Sequence, residues 1–289
     1  NLLDNNQRCS EHRDFITIAT DLTKSIKIGS GIAQPNNQNM RSFASQMMRL
    51  SDTNQKRVAF GIGPGFLPVD SPRTGISNAE FDLLESCIRA TTSELSGWDI
   101  EQETKNLPSN KFERMNGNLV PAEMFIASQS SPIAAVLAGK FGLGMLSLDA
   151  ITTTSVNNLS YIWEIYQKNA RENGHVCDRS RWSLALPMHL AKTNEDAQRD
   201  AKFGLNQWAK KLQKNTTFSI PEGRNPSKRI IETRLGIIGT HIEAIKKIKE
   251  VKRQSGGFGC LLLTNHNWAN LEKTKQSLKI FRDHVIDAI

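Results

Sequence analysis

The sequence lacks the signatures of several large classes of protein. Its apolar runs, such as 143–148 and 260–263, are far shorter than the ~18 residues that span a bilayer. Its four cysteines form no CxxC pair, which argues against a zinc site and suits a reducing compartment. Neither HExxH nor GxSxG occurs, which disfavours zinc hydrolases and α/β-hydrolases. We therefore expect a cytoplasmic globular protein without a metal site.

Basic residues outnumber acidic ones, 37 against 29, and give the chain a net charge of +8. This balance is compatible with phosphate-bearing partners, either nucleic acid or an anionic cofactor. The densest basic stretch, 246–253, instead follows an amphipathic helical pattern with no aromatic side chains interleaved. The pattern favours a solvated helix face, and we expect no nucleic-acid partner and no membrane.

Short apolar runs alternate along the chain with longer helical patterns. Strands are predicted at 25–29, 57–61, 123–127, 144–148, 182–190 and 258–263. Helices are predicted at 14–24, 40–53, 78–95, 132–140, 156–173, 194–212, 240–254 and 271–286, and a loop at 219–229. This alternation is typical of parallel strands joined by crossover helices. Because the strands are apolar throughout, we expect both faces to be buried, with Cys260 as a core thiol.

Two α/β architectures fit this order, an open doubly wound sheet and a closed barrel. No GxGxxG follows an early strand, which weakens the dinucleotide-binding interpretation. A TIM-like (β/α)8 barrel fits if one or two strands precede Asn1, and the absence of an initial methionine suggests that the sequence begins inside a longer chain. We predict one α/β barrel domain over 1–289, incomplete at its N-terminus, with an irregular excursion at 97–120.

Residues that follow the strands are the candidates for a site, because ligands gather at the carboxyl ends of parallel strands. After the strand at 57–61 come Gly63, Gly65 and Phe66. Glycines there either let a flat ligand approach the backbone or form a tight turn.

A second candidate segment contains Ser130 and Ser131, directly before Pro132 and the helix predicted to begin there. Serine before a first-turn proline is a good helix start. It also offers hydroxyl and N–H groups at the positive end of a helix, which suits a phosphate. On the residues alone, both interpretations stay open.

Three further polar residues lie at strand ends. Ser147 closes the strand at 144–148, His189 lies near the end of 182–190, and His266 follows the last strand. Each histidine is either a packed structural residue or an acid–base group that titrates near neutral pH.

Several segments, in order over nearly the whole chain, resemble those of the bacterial luciferase-like flavin monooxygenases, most of all the limonene monooxygenase-type branch. The segments are 16–31, RVAFGIGPG at 57–65, LAGKFGLGMLSL at 137–148, 179–191, 238–240 and QSGGFGCLLL at 254–263. The resemblance implies a (β/α)8 barrel that binds reduced FMN, delivered by a separate reductase, and uses O2 to oxygenate a small, mostly apolar organic substrate. It also implies a homodimer.

The resemblance further implies roles for the strand-end residues. By position, Gly63, Gly65 and Phe66 match the loop that approaches the flavin, and 130–131 match the stretch that contacts its phosphate. Ser147 matches a position beside the ring system. The family's histidine-containing stretches have no counterpart near the start of this sequence. This difference favours, as an alternative to the monooxygenase, a non-catalytic flavin-binding subunit. A deazaflavin-dependent oxidoreductase on the same scaffold is a further alternative.

Overall fold

A computed structural model of the chain describes residues 9–33, 40–53, 57–63, 78–95, 123–128, 132–148, 159–215, 226–232, 236–264 and 267–289. The strands are β1 (Ile28–Ala33), β2 (Val58–Ile62), β3 (Glu123–Ser128), β4 (Gly144–Ser147), β5 (Trp182–Leu190), β6 (Ile237–Gly239) and β7 (Cys260–Thr264). The helices are α1 (Cys9–Asp21), α2 (Met40–Thr53), α3 (Asn78–Leu95), α4 (Ile133–Phe141), α5 (Leu159–Glu172), α6 (Asn194–Asn215), α7 (Pro226–Glu232), α8 (His241–Ser255) and α9 (Leu271–His284). Within these ranges no helix is long and apolar enough to cross a membrane.

The alternation of helices and strands agrees with the sequence pattern, with several local differences. Strand β1 lies at Ile28–Ala33 rather than at 25–29, and α1 lies at Cys9–Asp21 rather than at 14–24, so the predicted bounds of both are wrong. Helix α7 begins at Pro226, so the prediction of a loop over 219–229 is wrong at its end. Strand β6 was not predicted, because its three residues are too few to form a recognisable apolar run. The predicted excursion at 97–120 lies outside the described residues.

The chain divides into two compact units. The first comprises 2–64 and 78–125 and contains α1, β1, α2, β2 and α3. Its strands β1 and β2 pair in parallel. Arg57, just before β2, fixes the end of α1, since its guanidinium donates to Thr23 Oγ1 at 3.0 Å and to the Thr20 carbonyl at 2.9 Å. The edge-to-face contact of Phe43 and Phe60, with ring centroids 5.4 Å apart, packs α2 against β2.

The second unit, which holds 126–289, is organised around β5. This nine-residue strand pairs in parallel with β4, with β7 and, at its carboxyl end, with β6. All its residues except Ser183 are buried. Its apolar sequence is therefore explained by neighbours on both edges and packing on both faces.

Strand β7 is less buried than its apolar sequence predicts. Its residues are exposed or half-buried, and Cys260 is exposed, so the expectation of a buried core thiol is wrong. Among the described strands β7 pairs with β5 alone. Its other edge has no neighbouring strand among them, which leaves its residues more exposed than those of β5.

Helix α8 begins as its sequence predicts. Thr240 and Glu243 form a reciprocal capping box, in which the Thr240 N–H donates to Glu243 Oε2 at 3.1 Å. The helix ends at Gly256, which adopts the left-handed conformation with φ of 72°.

Helix α4 is short, apolar and packed closely against α5. Its residues Ala134, Ala135, Ala138 and Gly139 are small and buried. At Gly139 the backbones approach so closely that a Cβ atom would lie 2.6 Å from the Tyr166 carbonyl oxygen. The position of α4 therefore depends on the absence of a side chain at residue 139.

The substitution Gly139→Ala tests this contact. We expect it to lower the free energy of unfolding by about 1–3 kcal/mol, because the added methyl forces α4 away from α5. Urea denaturation measures the change. The control is Gly31→Ala in β1, where an added Cβ meets nothing within 4 Å. Equal effects of the two substitutions would contradict the close packing.

Candidate functional site

The structure describes three of the residues that the sequence assigns to the site: Gly63, Ser147 and His189. Gly65, Phe66, Ser130, Ser131 and His266 lie outside the described residues, and their assignments stay predictions. The described part of the chain contains no group of three or more His, Cys, Asp or Glu side chains that could hold a metal ion.

Gly63 lies directly after β2 and is buried. Its N–H donates to the carbonyl of Ala33, the last residue of β1, at 3.2 Å. The β1–β2 ladder therefore continues through Gly63, and the loop predicted to approach the flavin begins from a fixed backbone position.

The N-terminus of α4 directly follows the serine pair 130–131. Its N-cap is Pro132, and the first helical residues 133–135 are buried. A helix start offers N–H groups and the positive end of the helix dipole. Because the carboxyl end of β3 is only a few residues away, this arrangement fits an anionic group such as the phosphate of FMN.

Ser147, the last residue of β4, has a buried hydroxyl that is held by a tryptophan. The Trp182 indole Nε1–H donates to Ser147 Oγ at 3.1 Å. Sequence reasoning missed Trp182 as a partner, because it opens the next strand and no local pattern links the two residues. Their contact follows from the β4–β5 register, which sets Met145 opposite Trp182.

Trp182 belongs to a column of stacked aromatic rings. It stacks on Trp163 of α5 at 5.4 Å between centroids, and Trp163 stacks on Tyr166 at 4.9 Å. The Arg179 guanidinium lies 4.4 Å from the Trp163 ring and donates to the carbonyl of Gly257, beyond the end of α8, at 2.9 Å. We call Tyr166, Trp163, Trp182 and Arg179 the aromatic column.

His189 is enclosed near the end of β5, with 2% of its surface exposed. Its Nε2 lies 3.9 Å from Asp200 Oδ2 on α6, beyond hydrogen-bond distance, and Lys273 Nζ on α9 lies 3.4 Å from the same oxygen. Burial lowers the pKa of His189 below its ordinary value, against the opposing attraction of Asp200. The side chain is therefore a neutral imidazole at neutral pH.

Ser147 and His189 do not meet. Ser147 lies opposite Leu184 in the β4–β5 register, and His189 comes five residues later on β5. At ~3.3 Å per residue the two positions are about 16 Å apart along the strand. His189 instead lies opposite Ile238 of β6. The predicted acid–base residue His189 therefore lies at a different level of the sheet from Ser147, which is predicted to lie beside the flavin ring.

Comparison with known sequences identifies relatives. Residues 10–258 match the model of the luciferase-like monooxygenase family. The chain is 28% identical to limonene 1,2-monooxygenase of Rhodococcus erythropolis, over 94% of this chain and 71% of that protein. It is also 28% identical to 4-hydroxyprotoasukamycin monooxygenase of Streptomyces nodosus subsp. asukaensis, over 92% of this chain and 75% of that protein.

Solved structures show the same fold at lower identity. The oxygenating constituent of 3,6-diketocamphane monooxygenase of Pseudomonas putida, solved with FMN, matches with a TM-score of 0.68 at 20% identity, over 96% of this chain and 83% of that one. An F420-dependent secondary alcohol dehydrogenase, solved with an F420–acetone adduct, matches with a TM-score of 0.64 at 17% identity, over 99% of this chain and 86% of that one.

The parallel strands, the crossover helices and these structural matches define a protein with a TIM-like α/β fold, which confirms the predicted fold class. The family match over most of the chain makes the identification more specific. The chain belongs to the luciferase-like monooxygenase family of oxidoreductases.

The burial of His189 as a neutral imidazole predicts how the stability of the fold depends on pH. Because its pKa is lower in the folded chain than the ordinary 6.5, the unfolded chain binds this proton first as the pH falls. The neutral imidazole of His189 makes its full contribution to the free energy of unfolding above about pH 6.5. Below that pH the contribution falls, by at most about 1.4 kcal/mol per pH unit.

Urea denaturation of the unaltered chain and of His189→Gln between about pH 7 and pH 5 measures this contribution. We expect the substitution to flatten the decline in the free energy of unfolding. His175→Gln, at an exposed position, controls for the change of residue type. Parallel pH profiles of the unaltered chain and His189→Gln would show that the imidazole is not held neutral.

Proposed function

We propose that the protein is a flavin-dependent monooxygenase that uses reduced FMN and O2 to oxygenate a small, mostly apolar organic substrate. The observation that carries this proposal is the start of α4, a buried helix N-terminus that comes shortly after the carboxyl end of β3 and directly after a serine pair. The two relatives named as monooxygenases and the FMN-bound structural neighbour support it.

In this proposal the phosphate of FMN binds at the start of α4. The first-turn N–H groups supply hydrogen bonds and the positive end of the dipole, and Ser130 and Ser131 supply hydroxyl donors. Gly139 keeps α4 seated against α5, so the helix start is held in place before the ligand arrives. The anion is therefore bound mainly by backbone and hydroxyl groups.

The ring system is proposed to lie along the strand ends. Gly63 and Gly65 let the backbone approach the ring without Cβ atoms, Phe66 packs against it, and Ser147 contributes a hydroxyl. When bound, reduced FMN supplies two electrons, so that one atom of O2 enters the substrate and the other leaves as water. The protein's role is to bind and orient the reactants and to exclude water.

His189 and His266 are the proposed proton-transfer groups. The neutral ring of His189 has a nitrogen that can accept a proton, but burial disfavours the protonated form, and its level on β5 differs from that of Ser147. His266 comes two residues after the end of β7, where a side chain can face a ligand at the strand ends.

We also propose the surroundings in which the enzyme works. A separate flavin reductase supplies reduced FMN, and the enzyme is a homodimer in the cytoplasm. The described cysteines Cys87, Cys177 and Cys260 are free thiols, which supports a reducing compartment. The family match spans both compact units, which supports a single luciferase-like domain over 1–289.

A second candidate is a deazaflavin-dependent oxidoreductase. It is favoured by two structural neighbours whose cofactor is F420, the secondary alcohol dehydrogenase and a tetrahydromethanopterin reductase of Methanopyrus kandleri with a TM-score of 0.64. The third candidate, a non-catalytic flavin-binding subunit, rests on the missing family histidines alone.

Isotopically labelled O2 tests the proposed reaction. The chain is incubated with FMN, a flavin reductase, NADH and limonene as the probe substrate, and products are examined by mass spectrometry. We expect one labelled oxygen atom in the organic product, and none when the chain is omitted. FMN binding with no labelled product from a panel of apolar substrates would contradict the monooxygenase, and turnover with reduced F420 alone would favour the second candidate.

The substitution Ser131→Glu tests the phosphate site. A carboxylate at the helix start should repel the phosphate and weaken FMN binding at least about tenfold, measured by quenching of flavin fluorescence. Binding by the unaltered chain should also weaken with rising salt. Ser25→Glu, an exposed position before β1, is the control. Unchanged affinity in Ser131→Glu would remove this residue from the site.

A further inference from the structure

The Ser147 hydroxyl has one hydrogen-bond partner, and this partner determines whether the hydroxyl acts as donor or acceptor in their bond. A hydroxyl can donate one hydrogen bond and accept two, whereas an indole N–H can only donate. The bond from Trp182 Nε1, 3.1 Å long, therefore occupies an acceptor position of Ser147 Oγ. The hydroxyl proton remains available to donate in another direction.

The indole that makes this bond is held on several sides. It stacks nearly parallel on Trp163, at an interplanar angle of 17°, and the Arg179 guanidinium lies 5.9 Å from its centroid. Arg179 in turn donates to the carbonyls of Ser255 and Gly257 at the end of α8. The aromatic column thus connects α5, β5 and the end of α8 to the last residue of β4. Rotation of the indole away from Ser147 would break this stacking.

We propose that Trp182 is a positioning residue, which sets the Ser147 hydroxyl as a hydrogen-bond donor toward an acceptor atom of the flavin ring. The proposal rests on the proposed function, in which the ring system lies beside Ser147. Without the indole N–H, the hydroxyl is free to rotate and to donate to a neighbouring backbone carbonyl. Trp182 acts through Ser147 and needs no contact with the flavin.

A set of variants separates this role from simple packing. Trp182→Phe keeps an aromatic ring in the column and removes the N–H, and Ser147→Ala removes the hydroxyl. The measurements are the dissociation constant of FMN and the visible absorption spectrum of the bound flavin. A hydrogen bond to the ring shifts that spectrum, and the control variant below shows how far the loss of a buried indole elsewhere shifts it.

We expect each single substitution to weaken FMN binding about 2–10-fold, as for the loss of one hydrogen bond, and to shift the spectrum in the same direction. The double variant should bind FMN as Ser147→Ala does, because Trp182 has no effect once the hydroxyl is gone. Ser147→Thr, which keeps a hydroxyl, should restore most of the affinity. If Trp182→Phe fails to fold, Ser147→Ala still tests the proposal, because unchanged affinity and spectrum in that variant would overturn it.

Trp208→Phe in α6 is the matched control, since it likewise removes an indole N–H from a buried tryptophan, which packs on Trp268 and is not part of the aromatic column. We expect its dissociation constant to stay within about twofold of that of the unaltered chain, with an unchanged spectrum. If the unaltered chain binds FMN but Ser147→Ala binds it equally well with the same spectrum, the positioning proposal is overturned and the proposed function stands. Additive effects in the double variant would also overturn it. If the unaltered chain does not bind FMN, both proposals fail.

Discussion

Parallel pairing of the strands is the constraint on which the rest of the structure depends. In the second unit β4, β6 and β7 all run parallel to β5, so their carboxyl ends and the starts of the helices that follow them lie on one side. Helix N-termini attract anions, and strand ends leave backbone and short side chains open to a ligand. The proposed site therefore follows from the direction of the strands, and the individual residues would determine which ligand fits.

The two best-defined parts of the proposed site are held in different ways. Helix α4 keeps its place because small residues let it pack closely on α5, with Gly139 at the point of nearest approach. Ser147 keeps its orientation because large residues surround its partner, with Trp182 stacked on Trp163 and covered by Arg179. Helix α5 contacts both parts, through the Tyr166 backbone at Gly139 and through the Trp163 ring at Trp182. A shift of α5 would thus disturb both the helix start and the hydroxyl.

The order of elements could be predicted from the sequence because most of them are long and strongly patterned. Helix α2 and strand β5 begin and end where the pattern predicts, and the capping box at Thr240 marks the start of α8. Strand β6 was missed because three residues carry too little pattern. The exposure of Cys260 could not be predicted either, since an apolar run does not reveal which of its faces another element covers.

Candidate site residues could be named from the sequence where position along the chain suggests their chemistry, as for the serine pair before α4 and the glycines after β2, and those assignments stay predictions. The candidate site was not predictable where residues distant in sequence meet. The bond from Trp182 to Ser147 spans 35 residues and depends on strand register, and the enclosure of His189 depends on side chains from α6 and α9. Such contacts leave no periodic trace in the sequence.

Comparing the affinities of the chain for FMN and for riboflavin, which lacks the phosphate, tests most directly whether the start of α4 is an anion site. Flavin fluorescence in a single buffer gives both dissociation constants. We expect FMN to bind at least about tenfold more tightly, because only its phosphate reaches the helix N-terminus and the serine hydroxyls. Equal affinities for the two flavins would contradict the phosphate site, and with it the proposed placement of the cofactor.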